Sequence, residues 1–200
     1  MSVFQLLMLG ASAFFAFKIY EHIQTLQEPD LRDDDFSNNE PRSAGAFSVF
    51  SPEALVLKAD EAYEEEDFQR ALALLNEVNE KEANNSEVLF KIAYILQKVD
   101  DNDEALKYYK EALALDKNNE FIHNSMATIY RVNGEFTSAK MHLQTSLEID
   151  NQNPITYYNF GNLLVEMQHN EEAVAMYEKA IEIDPKFGEA KVELEKLQGE

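Results

Sequence analysis

The sequence predicts an all-α protein: an α-solenoid of four helix-turn-helix units, closed by a C-terminal capping helix and preceded by one N-terminal transmembrane helix. Three observations carry that expectation. Ala71, Ala105, Ala139 and Ala173 are spaced by 34 residues, and Ala59, Ala93, Ala127 and Gly161 form a second series at the same interval; such self-similarity marks stacked supersecondary units. Each period ends in a polar break, EANN, DKNN, DNQN or DPKF, of the kind that separates helices. One stretch, Ser2 to Phe17, carries no charge at all.

That stretch, SVFQLLMLGASAFFAF, is followed by Lys18, Ile19 and Tyr20. A spanning helix needs roughly 17–25 mostly apolar residues. The run reaches that length if Lys18 extends its ammonium to the interface while Ile19, Tyr20 and Ile23 continue the helix, so residues 1–23 are expected to anchor the chain in a membrane. A cleaved signal peptide is the competing reading. Ala11-Ser12-Ala13 fits its cleavage pattern, but no Lys or Arg precedes the apolar run and FFAF continues past that point. Lys18 on the C-terminal flank favours a body facing the cytoplasm. Residues 24–50, including QEPDLRDDDFSNNEPRSAG, are rich in Asp, Asn, Pro and Ser and read as an acidic flexible linker. It ends in SAGAFSVF, Ser43 to Phe50. This segment suits a lid over the exposed end of a solenoid, or else an occupant of its groove.

The helical body starts at Phe50-Ser51-Pro52-Glu53-Ala54-Leu55. Ser51 can cap, Pro52 suits the first helical position, Glu53 meets the positive end of the helix, and Phe50 can staple against Leu55. Four units follow, at residues 52–85, 86–119, 120–153 and 154–187. In the second, Ala105 and Ala112 lie seven apart on one helical face, where a methyl group admits a neighbouring helix. Leu75, Tyr109, Leu143 and Tyr177 share one phase, and Val78, Ala112, Ser146 and Ala180 another three positions on. Tyr109 is therefore expected inside and Tyr108 partly covered. Gly134 marks the tight turn of the third unit. Residues 188–200, GEAKVELEKLQGE, place Ala190, Leu194 and Leu197 on one face, as a capping helix requires.

These units resemble the tetratricopeptide repeat family, whose helix pairs carry small residues where the two helices touch. SEVLFKIAYILQKVDDNDEALKYYKEALALDKNN and PITYYNFGNLLVEMQHNEEAVAMYEKAIEIDPKF hold nearly the whole family pattern. The first unit departs from it, with Lys58 and Ala62 where the family packs large apolar or aromatic side chains. It reads as a looser N-terminal cap. The third has Asn151 in place of the terminal proline and Ser146 in place of a small apolar residue.

The resemblance implies a concave groove lined by the first helix of each unit. It maps that lining to Phe90, Tyr94 and Gln97, then Phe121, Asn124, Thr128 and Arg131, then Ile155, Tyr158, Asn162 and Val165. As a set these offer apolar area, amides for a peptide backbone and a guanidinium for a carboxylate. Any single aromatic also has the plainer reading of lying against a neighbouring helix. Some family members hold the C-terminal carboxylate of heat-shock chaperones with lysines, arginines and asparagines. Val56, Asp60 and Phe90 stand at such positions here, which disfavours that ligand. Glu53, Asp60, Glu64 and Glu87 make the N-terminal end of the groove acidic, favouring a partner with a basic flank beside an apolar anchor. A short extended segment or one helix face would fit.

Composition narrows the function further. The net charge of -21 argues against nucleic acid, whose sites concentrate positive charge. Cysteine is absent, which removes disulfides and thiol chemistry together. His22, His123, His142 and His169 are dispersed, with no metal-ligand spacing. No phosphate loop or nucleophile elbow occurs, and the acidic runs Asp33–Asp35 and Glu64–Glu66 lack the spacing of a calcium loop. No catalytic residue, metal site or cofactor is expected. The expected function is that of a membrane-anchored adaptor or scaffold binding a protein or peptide segment in its groove. The alternative is a structural homo-oligomer, joined by repeat stacking or through the small residues Gly10, Ser12, Ala13 and Ala16 of the membrane helix. Similar arrangements occur in bacterial inner-membrane assembly factors and, in outline, in mitochondrial import receptors. A single-pass protein of the bacterial inner membrane is the expected setting.

Overall fold

The computed structural model describes residues 51–199. The expected anchor, the linker and the Ser43–Phe50 segment lie outside the described residues. Among the described residues there are nine helices: α1 (Pro52–Glu64), α2 (Phe68–Lys81), α3 (Ser86–Lys98), α4 (Asn102–Leu115), α5 (Glu120–Val132), α6 (Phe136–Ile149), α7 (Pro154–Glu166), α8 (Asn170–Ile183) and α9 (Gly188–Gly199). None of them is long and apolar enough to cross a membrane.

Helix starts follow from short polar side chains. The Ser51 hydroxyl accepts the Ala54 amide at 3.2 Å ahead of Pro52. Asn85, Asn119 and Asn153 cap α3, α5 and α7, while Asp67 and Asp101 cap α2 and α4. Each such cap is worth about 1 kcal/mol. Helix ends inside the units share one device. Glu66, Asp100, Gly134 and Gln168, again 34 residues apart, have φ of 59°, 62°, 76° and 63°. The next amide of each, from Asp67, Asp101, Glu135 and His169, returns to the carbonyl of Ala62, Leu96, Tyr130 or Leu164 at 2.8–2.9 Å. That left-handed residue and backward bond reverse the chain and satisfy orphan carbonyls.

The small-residue series sit at the helix contacts. Ala71, Ala105, Ala139 and Ala173 are fully buried, as are Ala59, Ala93 and Ala127 to within 1%. Gly161 completes the second series because Tyr177 lies against its backbone: a Cβ there would stand 2.4 Å from Tyr177 Cε1. The larger residues of the common phase, Leu75, Tyr109, Leu143 and Tyr177, fill the core between the helices. Tyr108 is half-buried at the seam of the first two apolar clusters. Each helix packs chiefly on its neighbours in sequence, and the first helices also meet directly, α3 with α5 and α5 with α7. α9 covers the far end, burying Ala190 and laying Leu194 and Leu197 against the last cluster.

Candidate functional site

The direct contacts among α3, α5 and α7 make one continuous face, and a cleft of about 590 Å³ opens on it. Of the lining residues expected from sequence, Phe90, Tyr94 and Gln97 on α3, Phe121, Asn124 and Thr128 on α5, and Ile155 on α7 border this cleft. Lys98, Asp100, Ser125, Asn153 and Asn159 complete it. Phe121 and Ile155 are 52% and 50% exposed, although they are large and apolar. They occupy the same phase in the first turns of α5 and α7, so they form an apolar rim one repeat apart. Also on the cleft, the Phe90 and Tyr94 rings stack at 6.1 Å, and Lys98 Nζ lies 5.5 Å from the Tyr94 ring centroid.

Two smaller clefts continue this surface toward the first unit. One shares Phe90 and Tyr94 with the main cleft and adds Tyr63, Asp60 and Lys91. Burial, together with the neighbouring Tyr94, pushes the Tyr63 phenol up to about 12. The next shares Asp60 and Lys91 and is rimmed by Glu53, Glu82 and Glu87 around Val56, Leu57, Val78 and Val88. Lys91 Nζ donates to both carboxylate oxygens of Asp60, at 2.6 and 2.8 Å.

Four of the expected lining residues do not border the main cleft, because neighbours in the protein occupy them. Arg131 forms an ion pair with Glu166. Asn162 Oδ1 accepts the Tyr177 hydroxyl at 2.8 Å. Tyr158 packs its ring against Tyr177 at 5.9 Å and Phe187 at 5.1 Å, and Val165 is partly buried on the same cluster. Asn124 borders the cleft but is only 5% exposed. Its Nδ2 donates to Ser146 Oγ at 2.8 Å and to Thr156 Oγ1 at 2.6 Å, and its Oδ1 accepts from Asn159 at 3.3 Å. Ser146, the polar substitution in the third unit, is thus one member of a satisfied buried network, closed by its own bond to the Glu120 carbonyl.

One pair escaped the sequence reading. His123 on α5 and His142 on α6 are 8% and 7% exposed, with their Nδ1 atoms 2.9 Å apart and Tyr130 stacked on His142 at 5.4 Å. Burial, reinforced by His123 and Lys110, pulls His142 down to about 4, and burial also lowers His123. At that separation one Nδ1 donates and the other accepts, and because burial lowers the proton affinity of both rings, both are neutral near pH 7. Register was the available signal: counting back by 34, they stand where the second unit has Leu89 and Tyr108. Among the described residues no group of three or more His, Asp or Glu side chains is placed to hold a metal ion.

Helix pairs repeating every 34 residues around buried alanines define a class of protein, the tetratricopeptide array. Tetratricopeptide repeat profiles match residues 62–129 and 120–186, together more than half of the chain, and the chain belongs to that family. No curated protein matches the sequence. Among solved structures, MamA is 22% identical with a TM-score of 0.62, over 70% of this chain and 82% of that one. YrrB, described as a TPR protein with an unusual peptide-binding site, is 19% identical with a TM-score of 0.62, over 73% and 75%. The first TPR of Spaghetti (RPAP3), solved bound to the HSP90 peptide SRMEEVD, is 24% identical with a TM-score of 0.55, over 59% and 94%. At these identities the likeness establishes the fold.

Proposed function

We propose that this chain is an adaptor that holds a segment of another protein in the cleft of its first helices, and that residues 1–23 fix it to a membrane. The observation that carries the binding role is the exposed pair Phe121 and Ile155 at the rim of an open cleft. Large apolar side chains half in water at adjacent positions mark interaction surfaces. Peptide binding by YrrB and by the RPAP3 repeats supports the reading, since both share the fold. The acidic first unit favours a partner with basic residues beside its apolar anchor. The apolar run Ser2–Phe17 and the polar stretch after it support a body tethered to a membrane, and Lys18 on the C-terminal flank of the run supports a body facing the cytoplasm.

The test is site-specific photocrosslinking in cells that make the full chain. A photoreactive residue at Phe121 or Ile155 should trap one discrete partner, and the same residue at Met141, exposed on α6 outside the cleft, should not. Equal trapping from all three positions, or none from the cleft, defeats the binding role. Fractionation of the full chain beside a version lacking residues 1–23 tests the anchor: a full chain that stays out of the membrane fraction removes it.

A further inference from the structure

The hydrogen-bond inventory of the cleft separates two kinds of partner that the cleft volume alone would admit. An extended segment brings a bare N–H and C=O with every residue, and those groups need partners when they leave water. Three amides on the cleft already spend their oxygens inside the protein, so they cannot accept from the N–H groups of a strand. Asn124 is bonded on both of its polar atoms, Gln97 Oε1 accepts the Tyr109 hydroxyl at 2.8 Å, and Asn153 Oδ1 caps the Ile155 amide at 3.0 Å. Thr128 donates to the Asn124 carbonyl of its own helix at 3.1 Å. A helix satisfies its own backbone and asks a groove only for side-chain contacts. The larger part of the surface left to a partner is apolar, with Phe121 and Ile155 half-exposed and Phe90 and Tyr94 half-buried beside them.

The charge along the surface is polarised. The main cleft has one cation and one anion, Lys98 and Asp100. The cleft at the first unit has four carboxylates, Glu53, Asp60, Glu82 and Glu87, against the single ammonium of Lys91. Shared residues join the two ends through the middle cleft. Resting on the groove reading above, we propose that the occupant is one amphipathic helix, its apolar face on Phe90, Tyr94, Phe121 and Ile155 and its lysine- or arginine-rich end over the first unit. Four first helices stacked about 10 Å apart span about 30 Å, which a helix of about 20 residues covers.

The full chain is titrated with fluorescent synthetic peptides of about 20 residues. One has leucines on a single helical face and a lysine cluster at one end. A second has the same sequence with prolines replacing two central residues, and a third has glutamates in place of the lysines. The first should bind at least tenfold more tightly than either of the others. Phe121→Ser and Ile155→Ser, both at exposed positions, should each weaken it several-fold. A photoreactive group on its lysine end should label α1 and α3 rather than α7. If the proline peptide binds as well while Phe121→Ser and Ile155→Ser still weaken it, the helix is overturned and the groove survives. If binding ignores both substitutions, the groove reading falls with it. Failure of the first peptide to bind, or labelling of α7 by its lysine end, likewise overturns the proposal.

Discussion

At the scale of single residues, the buried His123–His142 pair ties stability to pH. Burial holds His142 at about 4, below the ordinary histidine value of 6.5, so the folded state resists a proton that the unfolded chain accepts. The sign follows from linkage: the full stability is present above about pH 6.5 and drains away as pH falls toward 4. The gap between those values corresponds to on the order of 3 kcal/mol. We expect His142→Phe, which keeps a ring against Tyr130, to flatten this dependence. Urea titrations of both proteins at several pH values between 4 and 7 check it, and parallel curves would refute it. The left-handed turn residues offer a second prediction. Gly134 adopts its φ of 76° at no steric cost, whereas Gln168 at 63° bears the Cβ penalty. Gln168→Gly should therefore stabilise the chain by up to about 1 kcal/mol, and Gly134→Ala should destabilise it by a similar amount. A lower urea midpoint for Gln168→Gly would contradict the assignment of strain.

At the scale of elements, the α7–α8 contact shows how one phase can be filled in two ways. Leu75 and Leu143 accompany Ala59 and Ala127, while Tyr177 accompanies Gly161. The second unit combines Tyr109 with Ala93, and there the hydroxyl donates to Gln97. The fourth unit has Val165 at the Gln97 phase, so Tyr177 instead reaches Asn162 and its ring settles onto the α7 backbone. Alanine at Gly161 would gain about 1 kcal/mol in helix propensity. Its methyl would also stand within 2.4–2.8 Å of three ring carbons that cannot swing aside without losing the hydroxyl bond. Overpacking of this kind costs about 1–3 kcal/mol, so Gly161→Ala should lower the melting temperature in spite of its propensity. Adding Tyr177→Leu, which restores the pairing of the first and third units, should recover part of the loss. A double variant less stable than Gly161→Ala alone would show that the clash is not the cause.

At the scale of the whole molecule, the array was readable because identity at 34-residue intervals reports a packing requirement that every unit repeats, as at Ala71, Ala105, Ala139 and Ala173. Features that differ from unit to unit were not readable in that way. Glu66, Asp100 and Gln168 hold the same turn as Gly134 with side chains that carry no turn signature. The family resemblance places Asn124, Arg131 and Asn162 on the lining face, yet whether each meets a ligand or a neighbour depends on Thr156, Glu166 and Tyr177, which lie in other helices. The same locality governs how the array should come apart. Contacts among the described residues join each helix chiefly to the next or to the next first helix, so stability is close to a sum of unit and interface contributions, and a terminal unit has a repeat on one side only. α9 supplies the missing interface at the C-terminal end through Ala190, Leu194 and Leu197. A chain ending at Phe187 exposes that face of α8, including the surroundings of Tyr177. We expect hydrogen exchange to quicken there by one to two orders of magnitude, equivalent to about 1–3 kcal/mol of local stability, while amides of α1 and α2 keep their protection. Uniform loss of protection from α1 to α8 would show that the body unfolds as one cooperative block, and the additive description of the array would then be wrong.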